Sequence, residues 1–164
     1  MRPRMHSSAA LVAFFGLLLA SSSSGQSPGQ GEQDVREAVR QIVTAYQAND
    51  IERYFSFYAD DMTVLRATGR WTKDAYYDRW KKIVGSGGGV ASADVVDLQV
   101  QMSPAGDSAV ATYQMPVKPR YASTEAAKGQ APEIIYYMTD VFFRRNGRWH
   151  IVHLHWTVQP PPAS

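Results

Sequence analysis

The chain has 164 residues, no cysteine and a formal net charge of +2, with 17 lysines and arginines against 15 aspartates and glutamates. This length suits one ordinary domain and is enough to bury a sizeable core. The absence of cysteine excludes disulfides and any metal site built on thiolates. The near-neutral charge gives no electrostatic reason to expect a nucleic acid or an anionic membrane as partner.

Residues 1–25 have the pattern of a secretory signal peptide. Arg2 and Arg4 form a short basic region before the apolar run 9–20, which is shorter than the roughly 20 residues of a membrane span. Cleavage near residues 24–26 would remove both arginines and bring the formal charge to zero. A retained N-terminal anchor is the alternative, whereas a lipid-anchored lipoprotein is excluded because no cysteine follows. We therefore expect an exported protein, periplasmic or secreted.

Residues 26–32 predict a flexible lead-in to a domain over residues 33–158. The first helix is expected over 33–48, because Val35, Val39, Ile42 and Tyr46 recur every three or four residues. That pattern stops at Asn49, and Asp50 can cap a short second helix over 51–58. These two helices open the domain.

One short strand and a third helix are predicted next. Residues 62–66 alternate as a strand, and residues 69–71 form a turn. Thr72 caps a helix that continues to about residue 84, and its stripe includes Tyr76, Tyr77 and Trp80. The glycine-rich run 85–89 ends this helix.

The remainder of the domain predicts an antiparallel sheet. Strands are expected over 93–102, 108–117, 133–145 and 148–158, with a long loop at 118–132 and a proline-rich tail at 159–164. Asn146-Gly147 is a strong hairpin signal between the last two strands. Three helices followed by such a sheet predict an α+β fold in which the helices cover one sheet face.

Two stretches resemble a known family. Residues 48–64 (ANDIERYFSFYADDMTV) and 139–157 (TDVFFRRNGRWHIVHLHWT) are similar to the helix-helix-strand opening and the last hairpin of SnoaL-like proteins, which belong to the nuclear-transport-factor-2-like superfamily. The resemblance covers about residues 33–158. It implies a cone-shaped fold, with three N-terminal helices packed on a curved antiparallel sheet around a small-molecule pocket. It does not imply one activity, because this fold hosts isomerases, dehydratases, cyclases, epoxide hydrolases and binding domains.

The resemblance to the steroid isomerase branch is only partial. The position of that branch's catalytic aspartate is Arg66 in this chain, and its helix-one tyrosine falls on Ile42, with Tyr46 one turn further along. Only the second acid of the oxyanion hole has a match, at Asp140. A cation in place of the base makes steroid isomerase chemistry unexpected.

Alternation along the last two strands suggests a second set of site residues. It places Tyr136, Met138, Asp140 and Phe142 on one face of one strand, and Trp149, Ile151, His153 and His155 on the matching face of the next. If Asp140 points into the cone, as the resemblance implies, both histidines are expected beside it. An aspartate and a histidine in an aromatic pocket could transfer protons near neutral pH.

The candidate catalytic residues are therefore Asp140, His153 and His155. The candidate ligand-binding residues are Tyr46, Tyr58, Arg66, Trp80, Tyr136 and Met138. Each has a structural alternative: a strand histidine is often only hydrogen-bonded, and aromatic residues are often core. The two histidines lack a clear third metal ligand beyond Asp140, so neither a metal nor a cofactor is predicted.

Three functions stay open at this point. The leading hypothesis is an exported protein that binds a small, largely apolar molecule without assured catalysis. The second is an acid–base isomerase, dehydratase or cyclase that uses Asp140 with His153 or His155. The third is an interaction module that forms a homodimer through the outer sheet face, where Tyr137 and Val141 are expected to lie. No nucleic acid partner is expected, and no membrane partner after signal cleavage.

Overall fold

The computed structural model describes residues 28–66, 68–122 and 132–159. The predicted signal peptide lies outside the described residues, as do most of the tail and much of the long loop. No helix among the described residues is both long enough and apolar enough to cross a membrane.

Three helices occupy the positions that the sequence predicts, with altered ends. They are α1 (Pro28–Ala48), α2 (Ile51–Ser56) and α3 (Lys73–Gly85). The Asp50 side chain accepts a hydrogen bond from the Arg53 N–H at 3.0 Å, and Thr72 Oγ1 accepts from the Ala75 N–H at 3.3 Å. Both predicted N-caps are therefore confirmed.

The first helix begins earlier than predicted, so residues 28–32 are helical and not a lead-in. Pro28 suits the first helical position because its missing N–H would have no partner there. Within the first turns, Arg36 forms an ion pair with Glu32 at 2.8 Å. Gly31 also lies against Met102 and Trp149, where a larger residue would be crowded. These contacts offset the low helix propensity of the glycines.

Seven strands form one sheet. They are β1 (Tyr58–Arg66), β2 (Gly69–Thr72), β3 (Gly89–Ala93), β4 (Val96–Met102), β5 (Ser108–Arg120), β6 (Ile134–Arg145) and β7 (Arg148–Val158). The order is β2-β1-β7-β6-β5-β3, and β4 also pairs with β5. β1 and β7 run parallel and the other pairs antiparallel, so the sheet is mixed where the sequence predicts an antiparallel one.

The hairpin between β6 and β7 forms at the predicted residues. Asn146 and Gly147 have φ values of 52° and 78°, the two positive angles that a type I′ turn requires. This tight turn joins β6 and β7, the two strands that carry the candidate catalytic residues. It sets which residues of β7 pair with those of β6 next to the turn.

Two short strands were not predicted. Gly69–Thr72, expected as a turn, pairs with β1 as β2. The strand predicted over 93–102 is instead two strands, separated where the Asp94 N–H donates to the Pro116 carbonyl at 3.2 Å. Asn49 holds β3 in place, because its side chain donates to the Val90 carbonyl at 2.9 Å and accepts from the Val90 N–H at 2.8 Å.

The helices cover the concave face of the curled sheet, which gives the α+β cone that the resemblance implies. Buried apolar side chains from both layers form the core; they include Val35, Val39, Ile42, Phe142, Ile151 and Leu154. Burial of this apolar surface is the main stabilising contribution to such a fold. Where the helices and sheet diverge, a cavity remains.

Candidate functional site

The cavity lies between α1, α3 and the inner face of β5, β6 and β7, and has a volume of about 250 Å³. Aromatic side chains dominate its wall. These are Tyr46, Tyr54, Tyr76, Trp80, Tyr121, Tyr136 and Trp156. Five of the six predicted ligand-binding residues line it, namely Tyr46, Arg66, Trp80, Tyr136 and Met138.

The aromatic rings pack mainly edge to face. The centroids of Tyr46 and Trp80 are 5.0 Å apart with an interplanar angle of 82°, and those of Tyr46 and Tyr54 are 5.4 Å apart. Tyr76 and Trp156 connect α3 to β7 with a centroid distance of 5.9 Å. Such contacts fix the rings and leave apolar ring surface along the cavity.

Tyr58, the sixth predicted ligand-binding residue, does not line the cavity. It is buried behind the wall, where its hydroxyl donates to the Tyr54 hydroxyl at 2.6 Å. The Tyr54 and Tyr76 hydroxyl oxygens are 3.1 Å apart. Burial raises the pKa of all three phenols, so they stay neutral. Tyr58 therefore supports two rings of the wall through a chain of hydroxyls.

Arg66, at the end of β1, places its guanidinium between two indoles. Its central carbon lies 4.9 Å from the Trp71 ring centroid and 4.8 Å from that of Trp156. Two cation–π contacts hold the half-buried side chain in the cavity wall. Burial raises the pKa of Tyr136, and the positive charge of Arg66 opposes this rise. Arg66 and Tyr136 both line the cavity, which agrees with this coupling.

Asp140 faces inward but lies deeper than the cavity. Its side chain is only 1% exposed, and the Tyr113 hydroxyl donates to its Oδ2 at 2.9 Å. Its Oδ1 has no hydrogen-bond partner among the described residues. Burial raises the pKa of Asp140 to about 7, although the hydrogen bond from Tyr113 acts in the opposite direction. Met138, two residues along the same strand, lines the cavity, and Asp140 does not.

The two histidines do not join Asp140, and the expectation that they face the cavity is wrong. Phe142 pairs with Ile151 and Val141 pairs with His153, so Val152 is an extra residue in β7. This β-bulge shifts the alternation by one position. Beyond the bulge, Asp140 pairs with Leu154, which is 1% exposed and faces inward.

His153 and His155 consequently lie on the outer face of the sheet. The His153 Nδ1 is 2.8 Å from the Thr63 Oγ1. Partial burial lowers the pKa of His153, and the nearby His155 and Arg70 lower it further. The sheet itself therefore separates the predicted acid–base partners.

Sequence reasoning missed several wall residues, of which Trp156, Arg79 and Arg120 matter most. Trp156 was detectable, because the apolar spacing changes phase between Ile151 and Leu154. Arg120 was assigned to the long loop; in the structure it extends β5, and its Nη2 donates to the Gly88 carbonyl at 2.9 Å. Within the described ranges, no three histidine, aspartate or glutamate side chains come close enough to hold a metal ion.

Comparison with solved structures agrees with this architecture. An NTF2-like protein from Cytophaga hutchinsonii is 16% identical, with 78% of this chain and 98% of that chain covered and a TM-score of 0.65. An NTF2-like protein of unknown function from Pseudomonas putida is 20% identical, with coverage of 82% and 90% and a TM-score of 0.66. A ketosteroid isomerase-like protein from Erwinia carotovora atroseptica is 16% identical, with coverage of 79% and 96% and a TM-score of 0.62.

At these identities the likeness establishes the fold alone. No curated protein matches the sequence. The family described as SnoaL-like domain matches residues 35–159, which is most of the chain and contains the whole described cavity wall. The chain therefore belongs to the SnoaL-like family, and it shares its fold with the NTF2-like structures described above.

Proposed function

We propose that this chain is an exported protein that binds a small, largely apolar molecule in its aromatic cavity and performs no chemistry on it. One observation carries the proposal: the wall consists mainly of aromatic and aliphatic side chains, and none of the described residues that line it is a histidine, aspartate or glutamate. A cavity of this composition supplies apolar contact area and offers no carboxylate or imidazole as a general base.

The size and rigidity of the cavity favour a compact ligand. Its volume of about 250 Å³ is just below the roughly 300–1,000 Å³ of most ligand pockets, which suits one or two fused rings. Tyr46 and Trp80 meet at 82°, so a flat ligand can place its face on one ring and its edge on the other. The hydroxyl chain of Tyr58, Tyr54 and Tyr76 keeps the wall formed without a ligand.

Binding of the neutral bicyclic probe 2-naphthamide, followed by the quenching of tryptophan fluorescence, tests this proposal. The unaltered protein is expected to bind the probe, and Trp80→Ala is expected to weaken binding about tenfold because an aromatic wall is lost. Asp78→Ala, an exposed change on the same helix, is the matched control. Equal affinity in the unaltered protein and Trp80→Ala would place the binding site elsewhere.

Asp140 supports a second candidate, acid–base catalysis. It is a buried carboxyl group whose pKa is near 7, with one oxygen unpartnered among the described residues. Both protonation states are thus available at neutral pH. Because the histidines are on the outer face, Asp140 would have to act without them, from a position behind the cavity wall.

Deuterium exchange separates the two candidates. A base in the cavity would remove a proton from the carbon next to the carbonyl of 2-tetralone, and the enolate would regain a deuteron from D₂O. Binding alone predicts the uncatalysed exchange rate. Accelerated exchange that Asp140→Asn abolishes would support the acid–base candidate and contradict the proposal of binding without chemistry.

Export is proposed from the pattern of residues 1–25, where a basic region precedes an apolar run. N-terminal sequencing of protein recovered from its host tests it, with a mature N-terminus near residues 24–26 expected. Protein that starts at Met1 in the cytosol would contradict export.

A homodimer through the outer sheet face is proposed as well, supported by the exposed side chains of Leu65, Tyr137 and Phe143.

A further inference from the structure

The cavity wall contains a guanidinium that no carboxylate of the described chain neutralises. We propose that the ligand is a flat apolar molecule that carries a carboxylate, and that Arg66 binds this carboxylate through the edge of its guanidinium. The inference rests on the proposed binding function and specifies the chemical class of the ligand.

The position of Arg66 leaves its hydrogen-bond donors available. The Trp71 and Trp156 rings lie 4.9 and 4.8 Å from the central carbon of the planar guanidinium, so these two neighbours offer cation–π contact and no oxygen acceptor. The five N–H donors lie at the edge of that plane. No hydrogen bond from Arg66 to another described residue is formed. A carboxylate matches the fork geometry of the donors and can accept two parallel hydrogen bonds.

Three other arginines among the described residues have a carboxylate partner, which Arg66 lacks. Arg36 pairs with Glu32 at 2.8 Å, Arg40 with Glu37 at 3.7 Å, and Arg145 with Asp61 at 2.6 Å. All three pairs are on the surface, where pairing contributes little to stability. Arg66 is half-buried and would gain more from a counter-anion, yet the described chain supplies none.

Two further arginines give the mouth of the cavity a positive potential. Arg79 and Arg120 both line it and are themselves exposed. Arg120 is held by the carbonyls of Gly87 and Gly88, at 3.3 and 2.9 Å, so its charge stays beside the opening. No carboxylate side chain lines the described wall to cancel the three charges. A cavity of this kind concentrates anions at its entrance.

A matched pair of probes isolates the contribution of charge. 2-Naphthoate and 2-naphthamide have nearly the same shape, and only the first is an anion. We expect the unaltered protein to bind naphthoate at least about tenfold more tightly, because a charge-assisted hydrogen-bond pair replaces a neutral one. Isothermal titration calorimetry at constant ionic strength measures both affinities.

Substitutions at Arg66 assign the preference to one side chain. Arg66→Met removes the charge from between the two indoles, so the ratio of the naphthoate affinity to the naphthamide affinity is expected to fall to less than about threefold. The exposed charges of Arg79 and Arg120 account for the remainder. Arg66→Lys keeps the charge without the fork and should retain part of the preference. Arg70→Met is the control, because Arg70 is exposed and lies near His153 on the other face.

The outcomes separate this inference from the proposed function. Equal affinity for both probes in the unaltered protein would overturn the carboxylate inference and leave the binding proposal intact. A preference as large in Arg66→Met as in the unaltered protein would overturn the assignment to Arg66. Failure of both probes to bind the unaltered protein would overturn both proposals. The ratio of the two affinities is the readout for Arg66→Met, because Arg66 is itself part of the cavity wall. A circular dichroism spectrum equal to that of the unaltered protein shows that the variant is folded.

Discussion

The two faces of the sheet differ in how exposed their side chains are and in which residues they carry. The inner face carries Met138 and Asp140, which are 7% and 1% exposed, whereas Tyr137 and Phe143 on the outer face of the same strand are 41% and 43% exposed. The inner face encloses an aromatic cavity, and the outer face presents apolar rings and two histidines to solvent. Function on this scaffold therefore depends on which face each residue occupies.

A single extra residue decides that question in β7. With unbroken alternation, His153 and His155 would face the core and Leu154 and Trp156 would face solvent. Burying two imidazoles without partners is unfavourable, as is exposing a leucine and a tryptophan. The bulge at Val152 avoids both, because it lets apolar residues on each side of it face inward. Hydrophobic burial thus determines how β7 pairs with β6, although Val152 is left without a partner residue in β6.

The largest expected effect on the inner face is the pH dependence of stability that Asp140 causes. Burial raises the pKa of Asp140 to about 7 in the folded protein, against about 4 in the unfolded chain. The folded protein binds the proton more tightly, so the free energy of unfolding falls as pH rises from about 4 to 7, by at most about 4 kcal/mol. Asp140→Asn stays neutral and should lose this dependence, which urea denaturation at pH 5 and pH 8 measures.

A carboxylate with the opposite shift provides the control for that experiment. The hydrogen bond from Arg145 lowers the pKa of Asp61, which is exposed on the surface. Its stabilising contribution is present at neutral pH and is lost as pH falls through the folded pKa. Asp61→Asn should therefore leave the decline between pH 5 and pH 8 unchanged. A decline that persists in Asp140→Asn would show that Asp140 is not its source.

On the outer face, the proposed dimer is expected to be the next most sensitive feature. Tyr137→Lys would place two like charges near each other across a symmetric interface, and we expect dimer affinity to fall about a hundredfold. Sedimentation velocity over a range of concentrations measures it. Gln47→Lys adds the same charge at an exposed position of α1, away from the sheet, and should have little effect. A monomeric unaltered protein at high micromolar concentration would end the dimer proposal.

Adjacent residues of β7 compare the two faces directly. Trp156 lines the cavity and His155 does not, so Trp156→Ala should weaken 2-naphthamide binding about tenfold. His155→Ala should leave that affinity unchanged, because its side chain is on the other side of the sheet. Loss of binding in His155→Ala with no loss in Trp156→Ala would mean that the alternation beyond the bulge is the reverse of the one described.

Much of this architecture could be predicted from local sequence signals. Asp50, Thr72 and Asn146-Gly147 fix their caps and turn through short-range hydrogen bonds and backbone angles. The parallel pairing of β1 with β7 and the pairing of β3 with Asn49 join distant parts of the chain, for which the sequence carries no local signal. The positions of both histidines depend on a bulge that only the packed sheet specifies.

Helix and strand periodicity predicts only part of the site. Tyr46, Trp80, Tyr136 and Met138 could be predicted because helix and strand periodicity places them on inner faces. The depth of each residue could not, since periodicity gives a face and no distance from the opening. Asp140 and Tyr58 accordingly face inward, as expected, but lie behind the wall and not in it.

The smallest expected effect concerns the titration of His153 on the outer face. Partial burial lowers the pKa of His153 first, and the nearby His155 and Arg70 lower it further, so its NMR titration midpoint should fall below the ordinary value of about 6.5. Arg70→Gln should move the midpoint upward without restoring it fully, because burial remains. Arg79→Gln removes a cation from the cavity side of the sheet and should leave the midpoint unchanged. A folded pKa below the unfolded one means that this residue's contribution to stability is lost as pH falls through about 6.5, which is the opposite direction to Asp140. A midpoint above 6.5, or equal shifts in the two variants, would place His153 in a different environment from the outer face described above.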